Sequence, residues 1–563
     1  MYQEGVLPLA LVYAHDLLGN RWYKSQPLRE WIIAGLRYSA ESCHADGSCD
    51  DYYPFERALG AAVFSFCAAT EAARLIELSD RDADNEPIFN WLRLRARWIG
   101  TNGESGTLAN HHALAALGLF RFAALIGESE FAQTAAQKLA EVLDMQHDEG
   151  WFCEYGGADP GYQTVTIDCL AKIRAILAEN PSLARAASEH GCTTERLEDS
   201  LVAAVDFCEL FIQPDGGFGG AYGSRGTLHF YPHGFELLAG GSFRAAKPAA
   251  RLAHAFRHAL EQDAIGHFDD DRMFVHRLGN LIEAYLDAAD SSPPLSQRNN
   301  AEVRQLEGAG LLVVRDAKRH AVVSSARGGV FAWHSEESNS HIEVGTNASL
   351  GDAGLIVEFG DGRIAVSQSH DREREVAFHR TKDSKGERVQ LTVQGPLHIA
   401  KFETVTPFKQ SVLHIGMMTI GRFVRTLVRK VLQRRVITGR RQAPLTLTRK
   451  FEFVLPSGSS SNDTDSEAAF QLRVTDRIEL TDPEIFLKRI SYGIGFEAAY
   501  VAASGVYRND QLRTWPTLDA DLAVLNADRR VEIVREFPAR SKINSHKADW
   551  CCQTRMTTRK SAA

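Results

Sequence analysis

Gly150 to Gln163 reads GWFCEYGGADPGYQ, a loop dense in glycine, aromatic and acidic residues set between two helical runs. Glycine lets backbone approach a ligand closely, and Asp159-Pro160-Gly161 is turn chemistry, after which Tyr162 begins the next helix-like run, Thr164 to Leu177. The stretch therefore reads as the floor of a site into which Tyr162 points. The competing reading is that Trp151, Tyr155 and Tyr162 plug the end of a helix pair. Repetition favours the site, because Asp46-Gly47 before DDYYPFE and Asp215-Gly216-Gly217 before FGGAYGSRG carry the same punctuation as Glu149-Gly150 before WFCEYGG. Loops of this kind between helices suggest helical hairpins in a ring, their decorated ends gathered on one face.

Helical patterning runs almost unbroken from Leu7 to about Ala289. Ala113 to Ile126 is apolar nearly all round apart from Arg121, as an inner helix covered on both sides would be, whereas the next run puts Phe131, Ala135, Leu139 and Val142 on one stripe, as an outer helix would. This inner–outer alternation predicts an α/α toroid, an incomplete helical barrel, over residues 1–290. SSPPLSQRNN, residues 291–300, reads as a linker. Beyond it, short β-rich runs such as Leu311–Val314, Leu355–Phe359 and Leu445–Phe453 are separated by Gly, Asp, Asn and Ser, which predicts a C-terminal antiparallel β-sandwich over 301–540. Within it, residues 421–441, GRFVRTLVRKVLQRRVITGRR, form a candidate basic amphipathic helical insertion. A polyanionic chain, peripheral contact with an anionic membrane, and a solvated cover over the sandwich edge are its three readings. The polar tail, 541–563, is expected to fray.

A chain of 563 residues is too long for one core, and 44% hydrophobic with 24% charged residues excludes disordered and collagen-like classes. A net charge of −9 argues against nonspecific nucleic-acid binding. Nine cysteines, odd in number and without a CxxC pair, argue against a disulfide framework and a structural zinc of that type. The first 23 residues contain a short apolar run preceded by Glu4 and no basic region, so neither signal peptide nor membrane span is expected. The expected location is the cytoplasm, or the periplasm if the N-terminus is incomplete.

The chemistry concentrates in three places. Asn110, His111 and His112 stand at the entry of the apolar inner helix, where polar groups are costly unless paired or used. The organising loop adds Glu154 and Tyr162, with Trp151 beside them, and SRGTLHFYPHGFE adds Arg225, His229, Tyr231 and His233. Amide, imidazole, phenol and guanidinium together suit an enzyme that handles carboxylates.

These residues resemble the heparinase II/III and alginate lyase group of polysaccharide lyases: a helical toroid before a β-sandwich, an Asn-His pair on an inner helix, and a glycine-rich, Glu-containing loop ending in Tyr one hairpin later. The resemblance of architecture covers nearly the whole chain, and the motif covers Asn110, His111, Glu154 and Tyr162. It implies β-elimination of a uronic-acid-containing anionic glycan such as a glycosaminoglycan, with Asn110 and His111 neutralising the uronate carboxylate and Tyr162 moving protons. Arg225, His229, His233, Tyr231, Glu154 and Trp151 would bind substrate.

The physical logic is independent of the resemblance. The C5 proton of a uronate is too weakly acidic to remove while the neighbouring carboxylate is ionised, so donors must stabilise an enolate-like intermediate. A phenol, pKa about 10 when unperturbed, can take that proton and return one to O4 of the leaving sugar if neighbouring cations lower its pKa. Two departures qualify the resemblance. The arginine that some alginate lyases place just before the tyrosine is missing, leaving Arg225 to substitute. The His- and Asp-rich metal motif of some relatives survives only as the loose series His334, His341, Asp352, Asp361 and His370, so no cofactor is expected and a divalent metal in the sheet half stays open. The alternatives are a glycoside hydrolase using two of Asp50, Asp51, Glu154, Asp159 and Asp215, a non-catalytic glycan-binding protein of polysaccharide assembly, and a terpene-cyclase-like toroid, against which the β half and the missing aspartate-rich motif speak.

Overall fold

The computed structural model describes residues 3–51, 53–103, 107–227, 229–240, 242–261, 271–288, 293, 301–316, 318–335, 354–383, 386–400, 407–433, 440–456, 471–492 and 518–537. Helices occupy the first half: α1 (Val6–Ala14), α2 (Gln26–Glu41), α3 (Leu59–Leu75), α4 (Glu86–Thr101), α5 (Ala109–Ile126), α6 (Ser129–Asp144), α7 (Pro160–Glu179), α8 (Pro181–Glu189), α9 (Thr194–Glu209), α10 (His233–Ala239), α11 (Ala246–Glu261) and α12 (Asp271–Leu286). A two-residue hairpin, β1 (Cys153–Glu154) with β2 (Gly157–Ala158), lies in the organising loop.

Neighbour contacts run α1–α3–α5–α7–α10–α12 and return to α1, so these helices form an inner ring, and α2, α4, α6, α9 and α11 stand outside it. Sequence dictates the layer. In α5 every residue from His112 to Phe120 is buried, and the helix ends at Gly127, whose φ of 74° makes the left-handed cap that glycine adopts without strain. Outer α6 buries Phe131, Ala135, Leu139 and Val142 on one stripe. The short α8 escapes periodicity because Leu183, Ala186 and Ala187 are its whole buried face.

Arg121, the polar interruption of α5, is the centre of a buried ion network that ties the inner ring together. Its guanidinium meets Glu71 of α3 at 3.2 Å and Glu283 of α12 at 3.3 Å, while Lys172 of α7 meets Glu283 at 2.7 Å and Asp168 at 2.8 Å. His233 of α10 joins through Asp287 at 2.7 Å and Glu283 at 3.5 Å. Burial raises the cost of ionising Glu283, but Lys172, His233 and Arg121 outweigh it and hold the carboxyl well below the usual range.

The second half is antiparallel throughout the described residues. β3 (Glu302–Leu306), β4 (Leu311–Arg315), β5 (Arg319–Ser324) and β6 (Val330–Ser335) form a four-stranded meander. β7 (Leu355–Phe359), β8 (Ile364–Val366), β9 (Glu375–Asp383), β10 (Gly386–Ile399), β11 (Gln442–Pro456), β12 (Gln471–Leu480), β13 (Leu487–Tyr492) and β14 (Arg530–Phe537) form a sheet of order β13-β7-β8-β10-β11-β12-β14, with β9 paired to β10. Strands β3, β8, β9 and β13 lie outside the runs read as strands from the sequence. α13 (Pro407–Met418) and α14 (Arg425–Gln433) are inserted between β10 and β11, and α15 (Asp519–Asp528) packs Leu525 into the core at the far end of the large sheet.

Strands β4, β5 and β6 of the four-stranded sheet are buried on both faces, while β3 leaves Arg304 and Gln305 exposed. Leu312, Val314, Ala321, Val323, Phe331 and Trp333 pack against Val389, Leu391, Phe451 and Phe453 of the large sheet, which makes the sandwich. The alternate residues Leu311, Val313, Val322, Val330 and Ala332 belong to the core of the helical ring. Period-2 alternation delivers successive residues to two different cores, which is why these strands read as continuous apolar runs.

The insertion read over 421–441 is a 3-10 turn at Gly421–Phe423 followed by α14, while α13 precedes it and residues 434–439 lie outside the described residues. The linker read at 291–300 lies outside them apart from residue 293, and so does the tail. Of the loose metal series, His341 and Asp352 also lie outside; among the described residues no cluster of three or more His, Cys, Asp or Glu could hold a metal ion. No described helix is long and apolar enough to cross a membrane.

Candidate active site

Asp159 builds the cleft. Its carboxylate caps α7 by accepting the Tyr162 N–H at 3.0 Å, and also accepts the Arg225 N–H at 2.9 Å and the Thr227 hydroxyl at 2.5 Å. One carboxylate thus joins the loop before α7 to the loop before α10. Gly161 is required there because a Cβ would collide with the Thr227 hydroxyl. Tyr155, at φ 52°, turns the β1–β2 hairpin back, and its N–H donates to Thr107 O at 2.9 Å ahead of α5.

On this frame the Arg225 guanidinium lies 4.3 Å from the Tyr155 ring centroid and 5.5 Å from that of Tyr162. His229 meets Tyr162 edge-on with centroids 5.4 Å apart, and its Nδ1 accepts from Arg277 of α12. His111 stands edge-on to Phe64 at 5.9 Å, and Phe64 contacts His276 at 4.2 Å. Tyr155, Tyr162, Arg225, His229 and His111 are all half-buried, so they form a wall that a ligand can reach.

Behind the wall, Glu154 and Asn110 are each 1% exposed. Glu154 Oε1 accepts from the backbone N–H of Asn110 at 3.0 Å and from its Nδ2 at 2.8 Å. Burial pushes the Glu154 carboxyl up to about 8, with Asn110 and Arg225 opposing the rise. Burial thus favours its protonated form at neutral pH. Glu154 Oε2 and Asn110 Oδ1 have no hydrogen-bond partner, an unusual state for buried polar atoms. Burial also raises the Tyr162 pKa although Arg225 opposes it, so the expected lowering by neighbouring cations loses to desolvation. His229 titrates well below the ordinary range because burial, Arg277, His276 and Arg225 all penalise its charge.

Three residues read as substrate-binding stand elsewhere. His233 belongs to the ion network; burial and Lys172 oppose its protonation, but hydrogen bonds to Asp287 and Glu283 outweigh them and raise its pKa. Trp151 is buried, stacks on His147 at 4.5 Å and donates to Glu149 at 2.9 Å; Glu149 in turn accepts the N–H groups of Gly308 and Ala309 in the sheet half, making a bracket between the halves. Tyr231 is buried, lining a cavity among α1, α3, α5, α7 and α12. His112 points outward to Glu141 at 3.1 Å.

Sequence reading missed Arg277 and His276, which lie more than a hundred residues from the organising loop. Their signal was available: adjacent polar residues inside a helical run, as with Asn110-His111. The sheet half also reaches the cleft rim. A Cβ on Gly157 would lie 2.7 Å from His370 Nε2, and Arg327 donates to Gly223 O at 2.9 Å.

No family model and no curated protein matches the sequence. Among solved structures, the chain is similar to the chondroitin AC lyase of Streptomyces coelicolor A3. In complex with chondroitin sulphate that lyase aligns at 12% identity and TM-score 0.44, covering 85% of this chain and 80% of the other. A mutant of the same lyase aligns at 11% and 0.43, covering 87% of this chain and 63% of its own, so the chain spans less than two thirds of that length. Heparinase III aligns at 10% and 0.39, covering 86% and 68%. These likenesses are of broad arrangement alone.

Proposed function

We propose that the chain is a polysaccharide lyase cleaving a uronic-acid-containing anionic glycan by β-elimination. The observation that carries the reading is the Arg225 guanidinium over the Tyr155 and Tyr162 rings, a cation beside a phenol on a reachable wall. Arg225 and His111 donate to the uronate carboxylate as charge develops on it. His229 assists as a neutral donor: its Nδ1 is occupied by Arg277, which leaves the Nε2–H for the ligand. Tyr162, as phenolate, takes the C5 proton; the C4–O4 bond breaks as the C4–C5 double bond forms, and the phenol returns the proton to O4. Asn110 and Glu154, buried behind the wall, act by holding the hairpin that carries Tyr155.

A hydrolase needs two carboxyl groups flanking the bond. Asp159 is consumed by its three donors, Asp50 accepts the Phe55 and Arg57 N–H groups, and Asp215 closes its own turn on Gly217. The raised Tyr162 pKa and the burial of Asn110 favour the second reading, a glycan-binding protein without turnover. Incubation with uronate polymers separates them. Ultraviolet absorbance from a new double bond means lyase, new reducing ends without absorbance mean hydrolase, and retention of polymer without either means binding.

A further inference from the structure

The insertion between β10 and β11 is unlike the rest of the surface. From Pro407 to Arg441 there are nine lysines and arginines and no acidic residue, in a chain whose net charge is −9. Of twenty exposed large apolar side chains among the described residues, nine fall between Phe408 and Val431. Five of the nine follow helical spacing: Phe408, Val412 and Ile415 recur at i, i+4 and i+7 along α13, and Leu427 and Val431 at i, i+4 along α14, each more than half exposed. Met417 is the one buried residue of α13. These stripes face away from the protein, the reverse of a helix that covers a sheet edge.

We propose that α13 and α14 dock in the plane of an anionic lipid bilayer, with the apolar stripes entering the headgroup–acyl boundary and the arginines and lysines meeting lipid phosphates. A polyanionic glycan would satisfy the cations but gives exposed Phe408, Ile415 and Ile420 nothing to enter, and a second copy would bring like charges together. At about 1.5 Å per residue, α13 and α14 are each shorter than the roughly 30 Å hydrocarbon layer, so they lie in the surface rather than span it. The insertion is rooted beside the cleft. Ile399 N–H donates to Arg441 O at 2.8 Å, and Arg440 pairs at 3.1 Å with Asp371, the neighbour of the His370 that abuts Gly157. A docked protein thus holds its cleft at the lipid surface. This inference stands without the catalytic reading.

The full chain is sedimented with vesicles of phosphatidylglycerol and phosphatidylcholine, and with phosphatidylcholine vesicles alone. Binding to the anionic vesicles is expected, weakening with salt, and falling at least about tenfold both in Phe408→Ser/Ile415→Ser/Leu427→Ser and in Arg425→Ser/Arg429→Ser/Lys430→Ser. Phe408→Trp in the otherwise unchanged chain should be quenched by brominated lipid, a readout that needs no loss of binding. Equal binding to both vesicle types, an unquenched Trp, or full binding by the apolar triple variant overturns the proposal. So does displacement by soluble polyuronate at unchanged apolar dependence, or a solution dimer that the apolar triple variant splits.

Discussion

The inner ring and the loop beside it hold two sets of buried polar groups that differ in how far their charge is matched. Around Arg121, charge is matched: Glu71, Glu283, Lys172, Asp168 and His233 pair across five helices, and the carboxyls of Glu71 and Glu283 stay ionised because cations surround them. Behind the cleft wall, Glu154 has the backbone and side-chain amides of Asn110 and one guanidinium for company, is pushed toward its protonated form and leaves Oε2 unpaired. Removing water without supplying countercharge shifts pKa; supplying it fixes structure. The first set holds the ring and the second backs the cleft wall.

The contrast breaks most visibly at Tyr162. Tyr162→Phe removes only a hydroxyl, and turnover of a cleaved uronate polymer should fall by roughly 10²–10⁴-fold with the melting temperature unchanged. Because burial raises the Tyr162 pKa, kcat/KM for any lyase activity of the unsubstituted chain should climb with pH through the neutral range as phenolate is populated; a flat profile would contradict the base role proposed for it. Glu283→Ala should do the opposite, leaving Arg121 with Glu71 alone and Lys172 with Asp168 alone, at a cost of about 3–5 kcal/mol in denaturant unfolding. Unchanged stability there would mean the network is not a support.

Smaller effects sharpen the distinction. The folded Glu154 carboxyl, at about 8, lies above its unfolded value of about 4.3, so between those values the unfolded chain releases a proton that the folded chain keeps. Stability should fall as pH rises through that window. Glu154→Gln cannot ionise, and its melting temperature should lose this slope in calorimetry from pH 5 to 8; parallel curves would remove the assignment. Smallest of all is Arg97→Ala, which breaks the exposed pair with Glu130 and should shift the melting temperature by no more than about a degree.

Much of the architecture was legible because layers impose periods. The all-round apolar α5 and one-sided α6 marked inner and outer walls, and Arg121 was visible as the exception, although its partners on α3 and α12 were not. Leu311–Val314 read as a strand, but a continuous apolar run does not say that its two faces serve different cores. α13 went unread because its apolar spacing faces outward, where no core pattern constrains it. At the cleft, Tyr162 and Arg225 could be named because each sits in a glycine-rich loop. Glu154 was taken for a ligand-facing group, since residue type says nothing of depth, and Arg277 arrives only when the ring brings α12 beside the loop before α10.

The four-stranded sheet has a mechanical consequence. Its Leu311 and Val313 are set in one core and its Leu312 and Val314 in the other, while Arg315 and His320 bond the carbonyls of Glu209 and Leu210 at 2.6 and 2.8 Å. Swinging the halves apart would strip the helical core of the sheet face that fills it and break both of these bonds, which opposes a hinge of that kind. The cleft wall, carried on the loops before α7 and α10 and on the first turns of α5 and α7, therefore stands on a frame that both halves share.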